Sequence, residues 1–412
     1  MPVQKYDINT ELLEEFDLES FIKQYKNVSA NNFILNTKIK FSVNNYLLAE
    51  QIKLNNKLAY KIPTFQSKNC WITSKSFEQA SGEKPALYKA SLFSGHKLLD
   101  ICGGLGVDDW AFSFRFNSIL SLDIDPTLNA LVNCNYKKLK INNVQRITTN
   151  AYSYLENNIE KFDLIYIDSD RRINDKKAFR LDDIEPSYSK IEPQLRKLTT
   201  YVLLKLSPLI DISYCVKNIS NVKKIHVVAQ DGEVKEVLCE IDYATNTPEK
   251  EIHIIAVDIS SNKQTQFDAG FGIDEDHRLV NDEIIENYFY EASSAIVKAR
   301  LCNHYGKSLH VHSVFKHGSY FVSERKLEDF MGRGFQIINA FEFGKKTIID
   351  YLKQNNITRA NVSRSNFPIT PVEIKKQFQI LDGGDEYLFF TTNAKGNKLF
   401  LHCRKIDWSN SK

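Results

Sequence analysis

The feature that most constrains the fold of this chain is a cluster of three glycines after a short apolar run, in the stretch LLDICGGLGVDDWAFSF (residues 98–114). The run ends at Asp100, and Gly103, Gly104 and Gly106 follow it. The apolar run predicts a buried strand, and the amphipathic stretch after the glycines predicts a helix. Because glycine allows a positive φ and a close approach to the backbone, this turn predicts room for a bound group.

Strand-like and helix-like segments alternate around this turn, from about residue 95 to residue 255. The strand-like segments are HKLLDI, SILSLDID, QRITTN, FDLIYID, YVLLKLSP, KIHVVAQ and VLCEID. The clearest helical segment is PTLNALVNCNYKKLK, which has Pro126 at its first turn. This alternation predicts an α/β fold with a mainly parallel, doubly wound sheet. Ligands of such sheets bind outside the carboxyl ends of the strands, where the glycine turn is expected to lie.

Two common nucleotide-binding motifs do not fit the glycine turn. A dinucleotide fingerprint requires G-x-G-x-x-G, but its last position counted from Gly104 is Asp109, and its second counted from Gly103 is Leu105. A phosphate-binding P-loop requires a lysine and a hydroxyl residue after the last glycine, and neither is present. A strand, an acid and glycines with no phosphate cradle favour S-adenosylmethionine (SAM). The residues expected to shape its corner are Asp100, Gly103, Gly104 and Gly106.

The ends of the next three strands carry polar residues suited to the same cofactor. Asp123 ends SILSLD, 19 residues after Gly104, where an acid that accepts the ribose hydroxyls is expected. Asn150 and Ala151 follow the third strand, where the adenine would be contacted. Asp168 follows the fourth strand, beside the expected position of the reacting methyl group. Four strand ends in the right order favour SAM more strongly than the glycines alone.

The segment IYIDSDRR has the composition of a methyl-transfer site. An amine on a nucleobase is a weak nucleophile, and a carboxylate that accepts its N–H hydrogen bonds helps to localise its lone pair. Asp168 is the candidate for this role, and Arg171 with Arg172 would stack on a base or hold a phosphate. The alternative is a local cluster of ion pairs. Its members would be Asp168, Asp170 and Asp175 with Arg171, Arg172, Lys176, Lys177 and Arg180.

Changes in the pattern along the chain predict four regions. Residues 1–92 are predicted to be helical, and residues 93–256 form the SAM-binding α/β domain. Residues 257–343 are predicted to form a small α+β domain in which IIENYFYEASSAIVKARLCNHYG is helical. Residues 344–412 form a last α+β domain with a polar turn at DGGD and a terminal hairpin. From Lys345 to Lys412 there are 12 Lys and Arg against 6 Asp and Glu, whereas the whole chain has a net charge of +3. This basic end suits a partner that carries phosphates, although a solvated lysine-rich surface would give the same count.

The chain resembles bacterial class I SAM-dependent methyltransferases that carry a ferredoxin-like domain and a C-terminal THUMP-like domain. SFEQASGEKPALYKA is similar to the segment before their Rossmann-like sheet, DICGGLGVD to their first motif, and FYEASSAIVKA and GRGF to their middle domain. LLKLSPLIDI, which contains Lys205, Ser207, Pro208 and Asp211, is similar to the stretch after the fifth strand. The most specific match is NVSRSNFPITPVEIKKQFQILDGGDEYLFFTT, to the THUMP-like domain. The resemblance implies methyl transfer to RNA, since THUMP domains deliver RNA-modifying enzymes to structured RNA.

One motif departs from that family. The fourth strand is usually followed there by Asp-Pro-Ala-Arg-Arg, whereas this chain has Asp168-Ser169-Asp170-Arg171-Arg172. Without the proline a rigid turn is lost, and Asp170 adds a negative charge beside the site. Two alternatives to methyl transfer onto a base nitrogen of RNA therefore stay open. One is an RNA-binding protein that keeps the fold with an impaired site, and the other is a methyltransferase with a protein or small-molecule substrate.

Composition points to a cytoplasmic protein with no membrane partner. No apolar run reaches the roughly 18 residues of a membrane span, and the acidic, polar start MPVQKYDINTELLEEF does not resemble a signal peptide. The seven cysteines are scattered without a CxxC pair, as is usual for reduced thiols. SLHVHSVF is predicted to be a strand with His310 and His312 on one face, but the two have no metal-binding spacing, so no metal is expected. The sequence does not determine the oligomeric state.

Overall fold

The computed structural model describes residues 9–36, 39–171, 181, 184–260, 263–272 and 287–408. The chain divides into two compact units. The first consists of residues 1–223 and 237–247, and the second of residues 224–236 and 248–412. Each unit has its own core and is described separately.

Seven helices form the N-terminal part of the first unit, in agreement with the sequence pattern. They are α1 (Thr10–Glu15), α2 (Leu18–Tyr25), α3 (Ala30–Asn36), α4 (Asn45–Lys61), α5 (Pro63–Ser67), α6 (Ser74–Gln79) and α7 (Glu83–Ser91). Side chains cap several of them: Asn9 Oδ1 accepts the amide N–H groups of Glu11 and Leu12 at the start of α1. Their core is aromatic, with Phe21 against Phe33 in an edge-to-face contact at 5.5 Å.

The rest of the first unit is an α/β layer structure. In chain order its elements are β1 (Gly95–Asp100), α8 (Val107–Phe112), β2 (Phe116–Asp123), α9 (Pro126–Leu139), β3 (Val144–Thr148), α10 (Ala151–Asn157), β4 (Leu164–Ile167), β5 (Asp170–Arg171), β6 (Ile184–Glu185), α11 (Tyr188–Leu198), β7 (Tyr201–Leu206) and α12 (Ile212–Asn218). Strands β8 (Val222–Gln230) and β9 (Glu233–Asp242) follow, and of these the first unit contains residues 222–223 and 237–242. Strand-forming β-branched and leucine residues fill β4 and β7, which are buried on both faces, as parallel strands require.

The strand order places the candidate site. Strands β3, β2, β1, β4 and β7 lie side by side in this order and are parallel, and β9 pairs antiparallel with β7. The chain moves outward from β1 to β3 and then returns to β4 on the other side of β1. The order therefore reverses between β1 and β4, and the carboxyl ends of these strands form the crevice where ligands bind in such sheets.

The second unit contains strands β10 and β11 and a seven-stranded sheet. Strand β10 (His253–Ile259) is parallel to β8 from Lys224 onward and antiparallel to β11 (Gln264–Gly270). The elements that follow are β12 (Tyr288–Ala292), α13 (Ser294–Lys298), α14 (Cys302–Ser308), β13 (His312–Ser313), β14 (Tyr320–Ser323), β15 (Gly332–Glu342), α15 (Lys345–Gln354), β16 (Arg359–Ser365), α16 (Pro371–Phe378), β17 (Leu381–Thr392) and β18 (Lys398–Lys405). The seven strands β12 to β18 form one sheet in the order β13-β14-β12-β15-β18-β17-β16.

Three sequence-based expectations about the second unit differ from the structure. YFYEA was expected to be helical but forms β12, because its buried side chains Phe289 and Tyr290 sit in a strand paired on both sides, by β14 and β15. DGGD was expected to be a turn but lies within β17, where Gly383 and Gly384 have φ values of 94° and 88° and accommodate a shift in register. His310 is outside any strand and has a φ of 55°.

Candidate functional site

The glycine turn is built by backbone hydrogen bonds at the end of β1. The Gly103 N–H donates to the Leu122 carbonyl of β2 at 2.8 Å, and the Gly106 N–H donates to the Gly103 carbonyl at 2.8 Å. The Cys102 N–H donates to Asp100 Oδ1 at 2.8 Å. Gly104 and Gly106 have φ values of 49° and 78°, in the left-handed region that side chains disfavour.

The three glycines make room for different groups. A Cβ on Gly103 would lie 2.1 Å from Ser121 Oγ, and a Cβ on Gly106 would lie 2.4 Å from the Tyr136 hydroxyl. A Cβ on Gly104 would meet only the Cys102 carbonyl oxygen, at 3.9 Å. Packing inside the protein therefore requires glycine at 103 and 106, while Gly104 faces open space at the end of β1.

Asp123 lies beside Gly104, at the carboxyl end of β2. Its Oδ2 accepts the Gly104 N–H at 3.0 Å, and its Oδ1 accepts the Asp125 N–H at 2.9 Å. Burial raises the pKa of Asp123 above its ordinary value, against the lowering effect of these amides and of Arg146. The side chain keeps 15% of its surface exposed, so a ligand can reach it.

A buried polar cluster supports the turn from below, and the sequence analysis did not identify it. Asp109 is fully buried, and its Oδ2 accepts hydrogen bonds from the Ser121 hydroxyl at 2.6 Å, the Tyr136 hydroxyl at 2.7 Å and Arg146 at 3.1 Å. Arg146 also donates to the Gly104 carbonyl at 2.9 Å. Two consecutive acids at the start of an otherwise apolar helix, VDDWAF, were the signal for a buried charge at this position.

Asp100 belongs to this buried cluster as well. It is 1% exposed, and its pKa is raised well above 3.8 by burial and by the neighbouring charge of Asp109. Asp109 Oδ1 is buried and has no hydrogen-bond partner among the described residues. A protonated Asp100 that donates to Asp109 satisfies both groups, and its place beneath the turn is then structural.

Asn150 and Ala151 lie at the end of the third strand, where they were expected. Asn150 Oδ1 accepts the Tyr152 N–H at 2.8 Å and caps α10, and Ala151 is the first residue of that helix. The Tyr152 hydroxyl accepts the Ser187 N–H at 2.9 Å. Burial raises the pKa of Tyr152, and a hydrogen bond to Glu185 adds to the effect. Tyr152 thus links the third strand end to the segment that follows β6, a link that the sequence did not indicate.

Asp168 follows β4 and forms an ion pair with Lys205, whose Nζ lies 2.5 Å from Asp168 Oδ2. The Ser169 hydroxyl donates to the Pro186 carbonyl at 2.8 Å. Arg171 lies in β5, paired with Ile184, and nothing is described of its side chain. Arg172, together with Asp175, Lys176, Lys177 and Arg180, lies outside the described residues. The basic part of the predicted transfer site therefore stays a prediction.

A second buried cluster joins α7 to the start of α8. Asp108 Oδ2 accepts hydrogen bonds from the hydroxyls of Ser81 and Tyr166, both at 2.8 Å. Asp108 Oδ1 lies 3.1 Å from Lys89 Nζ, and Lys89 is fully buried. Burial would raise the pKa of Asp108, but the ammonium groups of Lys89 and Lys205 and these hydrogen bonds hold it below the ordinary value.

The residues at this edge of the sheet fit SAM. Gly104 leaves open space at the end of β1, and the Asp123 carboxylate lies one strand away. Because SAM carries no phosphate, its binding requires no phosphate-binding group at this turn. Across the described ranges no group of three or more His, Cys, Asp and Glu side chains could hold a metal ion. Within the same ranges no helix has the length and apolar character needed to cross a membrane.

Comparison with known proteins identifies similar folds. The sequence profile of the family described as THUMP domain-like matches residues 332–405. A crystal structure of a candidate methyltransferase from Porphyromonas gingivalis W83 is 26% identical, has a TM-score of 0.85 and covers 98% of this chain and 100% of its own. An rRNA methylase from Streptococcus thermophilus has a TM-score of 0.30 at 11% identity, over 39% of this chain and 93% of its own. A candidate methyltransferase from Streptococcus mutans, in complex with SAH, has a TM-score of 0.30 at 13% identity, over 39% of this chain and 96% of its own. No curated protein matches the sequence at a significant level.

These findings confirm two interpretations of the sequence. The α/β sheet has the Rossmann-like fold of class I methyltransferases, with an N-terminal helical region and α+β structure after it. The C-terminal end is THUMP-like, so the resemblance to class I methyltransferases that carry such a domain is confirmed. The matched residues 332–405 begin in β15 and end in β18.

Proposed function

We propose that this chain, a THUMP-like protein with the class I methyltransferase fold, is a SAM-dependent methyltransferase that modifies a base nitrogen of RNA in the cytoplasm. The observation that carries the proposal is the strand-end geometry between β1 and β2. There the open side of Gly104 lies beside Asp123, whose Oδ2 accepts the Gly104 N–H at 3.0 Å. The likeness to the Porphyromonas gingivalis protein along the whole chain supports it.

Some residues of the site would contact SAM, and others would hold the glycine turn in shape. Gly104 and Asp123 would hold SAM directly, with Asp123 accepting the ribose hydroxyls and Asn150 with Ala151 flanking the adenine. Asp100, Gly103 and Gly106 would keep the turn in shape, since their neighbours are protein groups. When bound, SAM would supply a sulfonium methyl group, which the lone pair of the acceptor nitrogen takes while the electron pair of the S–C bond returns to sulfur.

The transfer site would lie at the end of β4. Asp168 is 26% exposed and would accept an N–H hydrogen bond of the acceptor base, which localises the nitrogen lone pair. The proton that leaves the nitrogen would pass to Asp168 or to water. Arg171 and Arg172 would position the RNA by stacking or by contact with a phosphate.

RNA is the proposed substrate because of the second unit. Its residues 332–405 match a family described as THUMP domain-like, and THUMP domains, which that family resembles, deliver RNA-modifying enzymes to structured RNA. Lysines in this region such as Lys345, Lys346 and Lys398 are exposed, and the chain from Lys345 onward has a net charge of +6. Exposed cations attract a phosphate backbone without regard to sequence.

The proposal can be tested with radiolabelled SAM and total RNA from a strain that lacks this protein. Wild-type protein should label the RNA, Asp168→Ala should bind SAM without labelling, and Asp123→Ala should fold yet bind SAM more weakly by calorimetry. Asp125→Ala is the matched control, because its carboxylate caps α9 rather than facing the turn. Full labelling by Asp168→Ala would contradict the catalytic assignment.

The same assay separates the two alternatives. An RNA-binding protein with an impaired site, which the Ser169-Asp170 departure would favour, would bind RNA and transfer no label. A methyltransferase with a protein or small-molecule substrate would give label that survives RNase treatment.

A further inference from the structure

Lys205 lies beside Asp168 on the neighbouring strand. Strands β4 and β7 are parallel neighbours, with Ile167 opposite Leu204 in the register. Asp168 and Lys205 each come one residue later, so both side chains leave the sheet at the same carboxyl edge. Their side chains are 26% and 15% exposed, which places the ion pair at the surface of the crevice.

The ion pair fixes one oxygen of the Asp168 carboxylate. Lys205 Nζ donates to Asp168 Oδ2 at 2.5 Å. Within the part of the chain that the structure describes, no residue donates a hydrogen bond to the other oxygen, Oδ1. A carboxylate held by one oxygen on a rigid strand end presents the other in a defined direction, and reactive geometry tolerates only small errors in position.

The charge of Lys205 also acts on a second acid. Against the effect of burial, the ammonium groups of Lys89 and Lys205 lower the pKa of Asp108, which accepts hydrogen bonds from Ser81 and Tyr166. Lys205 is therefore near enough to the buried cluster of α7 and α8 to interact with it electrostatically, while its direct contact is with Asp168. This contact gives the Asp168 side chain a defined partner at the position where the similar family has a proline after the aspartate.

We propose that Lys205 is a positioning residue for methyl transfer, which holds Asp168 by Oδ2 so that Oδ1 accepts the N–H of the acceptor. The proposal rests on the proposed function and adds a residue to it. Lys205 acts through Asp168, so its loss should lower the rate of the transfer step while SAM and RNA still bind. An arginine at this position keeps a cation that can reach the carboxylate and should restore part of the rate.

The test compares Lys205→Met and Lys205→Arg with a matched control, Lys97→Met. Lys97 is also a lysine on a parallel strand of the same sheet, and it is ion-paired with Glu160 on the exposed surface. We expect Lys205→Met to lower kcat by about 10²-fold with KM for RNA and Kd for SAM changed little. Lys205→Arg should recover about one decade of this loss, and Lys97→Met should match wild type.

Two further readouts distinguish positioning from a general structural role. Lys205→Met should add no further loss of rate to Asp168→Asn, a milder substitution that keeps the side-chain volume and removes the charge that Lys205 pairs with. The thermal midpoint of Lys205→Met should equal that of Lys97→Met. A kcat for Lys205→Met equal to wild type, a loss of SAM affinity, or a loss of fold would each overturn the proposal for Lys205. A wild-type protein that binds SAM and labels no RNA would instead overturn the proposed function, and this inference with it.

Discussion

At the scale of single residues, the two acids beneath the glycine turn have different surroundings. Asp109 accepts three hydrogen bonds on one oxygen, including one from the cation Arg146. Asp100 accepts one amide hydrogen bond, and burial with the neighbouring charge of Asp109 raises its pKa well above 3.8, so its protonated form is favoured.

This difference predicts opposite effects of two isosteric substitutions. Asp100→Asn keeps a donor toward Asp109, so unfolding stability near neutral pH should be conserved or improved. Asp109→Asn removes the charge that pairs with the buried Arg146 and should cost about 3–5 kcal/mol. Urea midpoints followed by the fluorescence of Trp71 and Trp110, both in the first unit, would measure the two effects.

The pH dependence of the Asp100→Asn effect gives an independent check. The folded pKa of Asp100 lies well above 3.8, so between pH 4 and that pKa the unfolded chain releases a proton that the folded chain keeps. The contribution of Asp100 to the free energy of unfolding of the wild type therefore decreases as pH rises from about 4, by up to about 1.4 kcal/mol per pH unit. Asp100→Asn lacks this decline, so its stability relative to wild type should increase as pH rises from about 4 toward the folded pKa of Asp100. A difference that stays constant would contradict the assignment of the proton.

At the scale of elements, the sequence predicted the α/β sheet well and the second unit less well. Segments such as FDLIYID and YVLLKLSP combine apolar runs with β-branched residues, and each forms the expected strand. YFYEA has the same apolar content, and only its pairing with β14 and β15 makes it a strand. Partners distant in sequence decide such a segment, and a single sequence does not contain them.

The residues of the candidate site also divide into those that the sequence could predict and those that it could not. The positions of Asp123, Asn150 and Asp168 could be predicted because strand order alone brings their strand ends together. Lys89, Asp108 and Arg146 could not be assigned, because their burial depends on which helix covers which strand. Glycine content signalled the turn, but the reasons for Gly103 and Gly106 lie in side chains of β2 and α9.

The turn predicts that two neighbouring glycines respond differently to alanine. Gly103→Ala would place a Cβ 2.1 Å from Ser121 Oγ and should destabilise the first unit by about 1–3 kcal/mol through overpacking. Gly104→Ala meets no atom closer than 3.9 Å, so it should cost only the strain of its left-handed φ, about 1–2 kcal/mol, while projecting into the proposed cofactor space. Calorimetry should show weaker SAM binding for Gly104→Ala. Unchanged affinity would mean that the cofactor does not lie against this turn.

At the scale of the whole molecule, the predicted boundary between residues 343 and 344 divides a continuous structure in the second unit. Strand β15 precedes the boundary and pairs with β18, which follows it, from Phe335 opposite Lys405 to Glu342 opposite Leu399. One apolar cluster contains Phe289 and Phe335 from one side and Phe389 and Leu401 from the other. The two predicted regions therefore share one sheet and one apolar cluster, and the THUMP-like match at 332–405 begins at the first residue of β15.

A chain that ends at residue 343 is therefore expected to misfold in its second unit rather than lose one function. Its β15 would expose an unpaired edge and the apolar face of Phe335, which promotes aggregation. Size-exclusion chromatography and limited proteolysis of the truncated chain should show aggregates and rapid cleavage within residues 287–343. A monomeric product that resists protease would show that the boundary separates independent domains.

The role of this region in RNA binding is better tested in the full chain. Reversing the exposed charges of Lys345 and Lys346 leaves the shared sheet intact. The change should weaken RNA binding and reduce the dependence of the affinity on salt concentration, because fewer phosphate contacts are made.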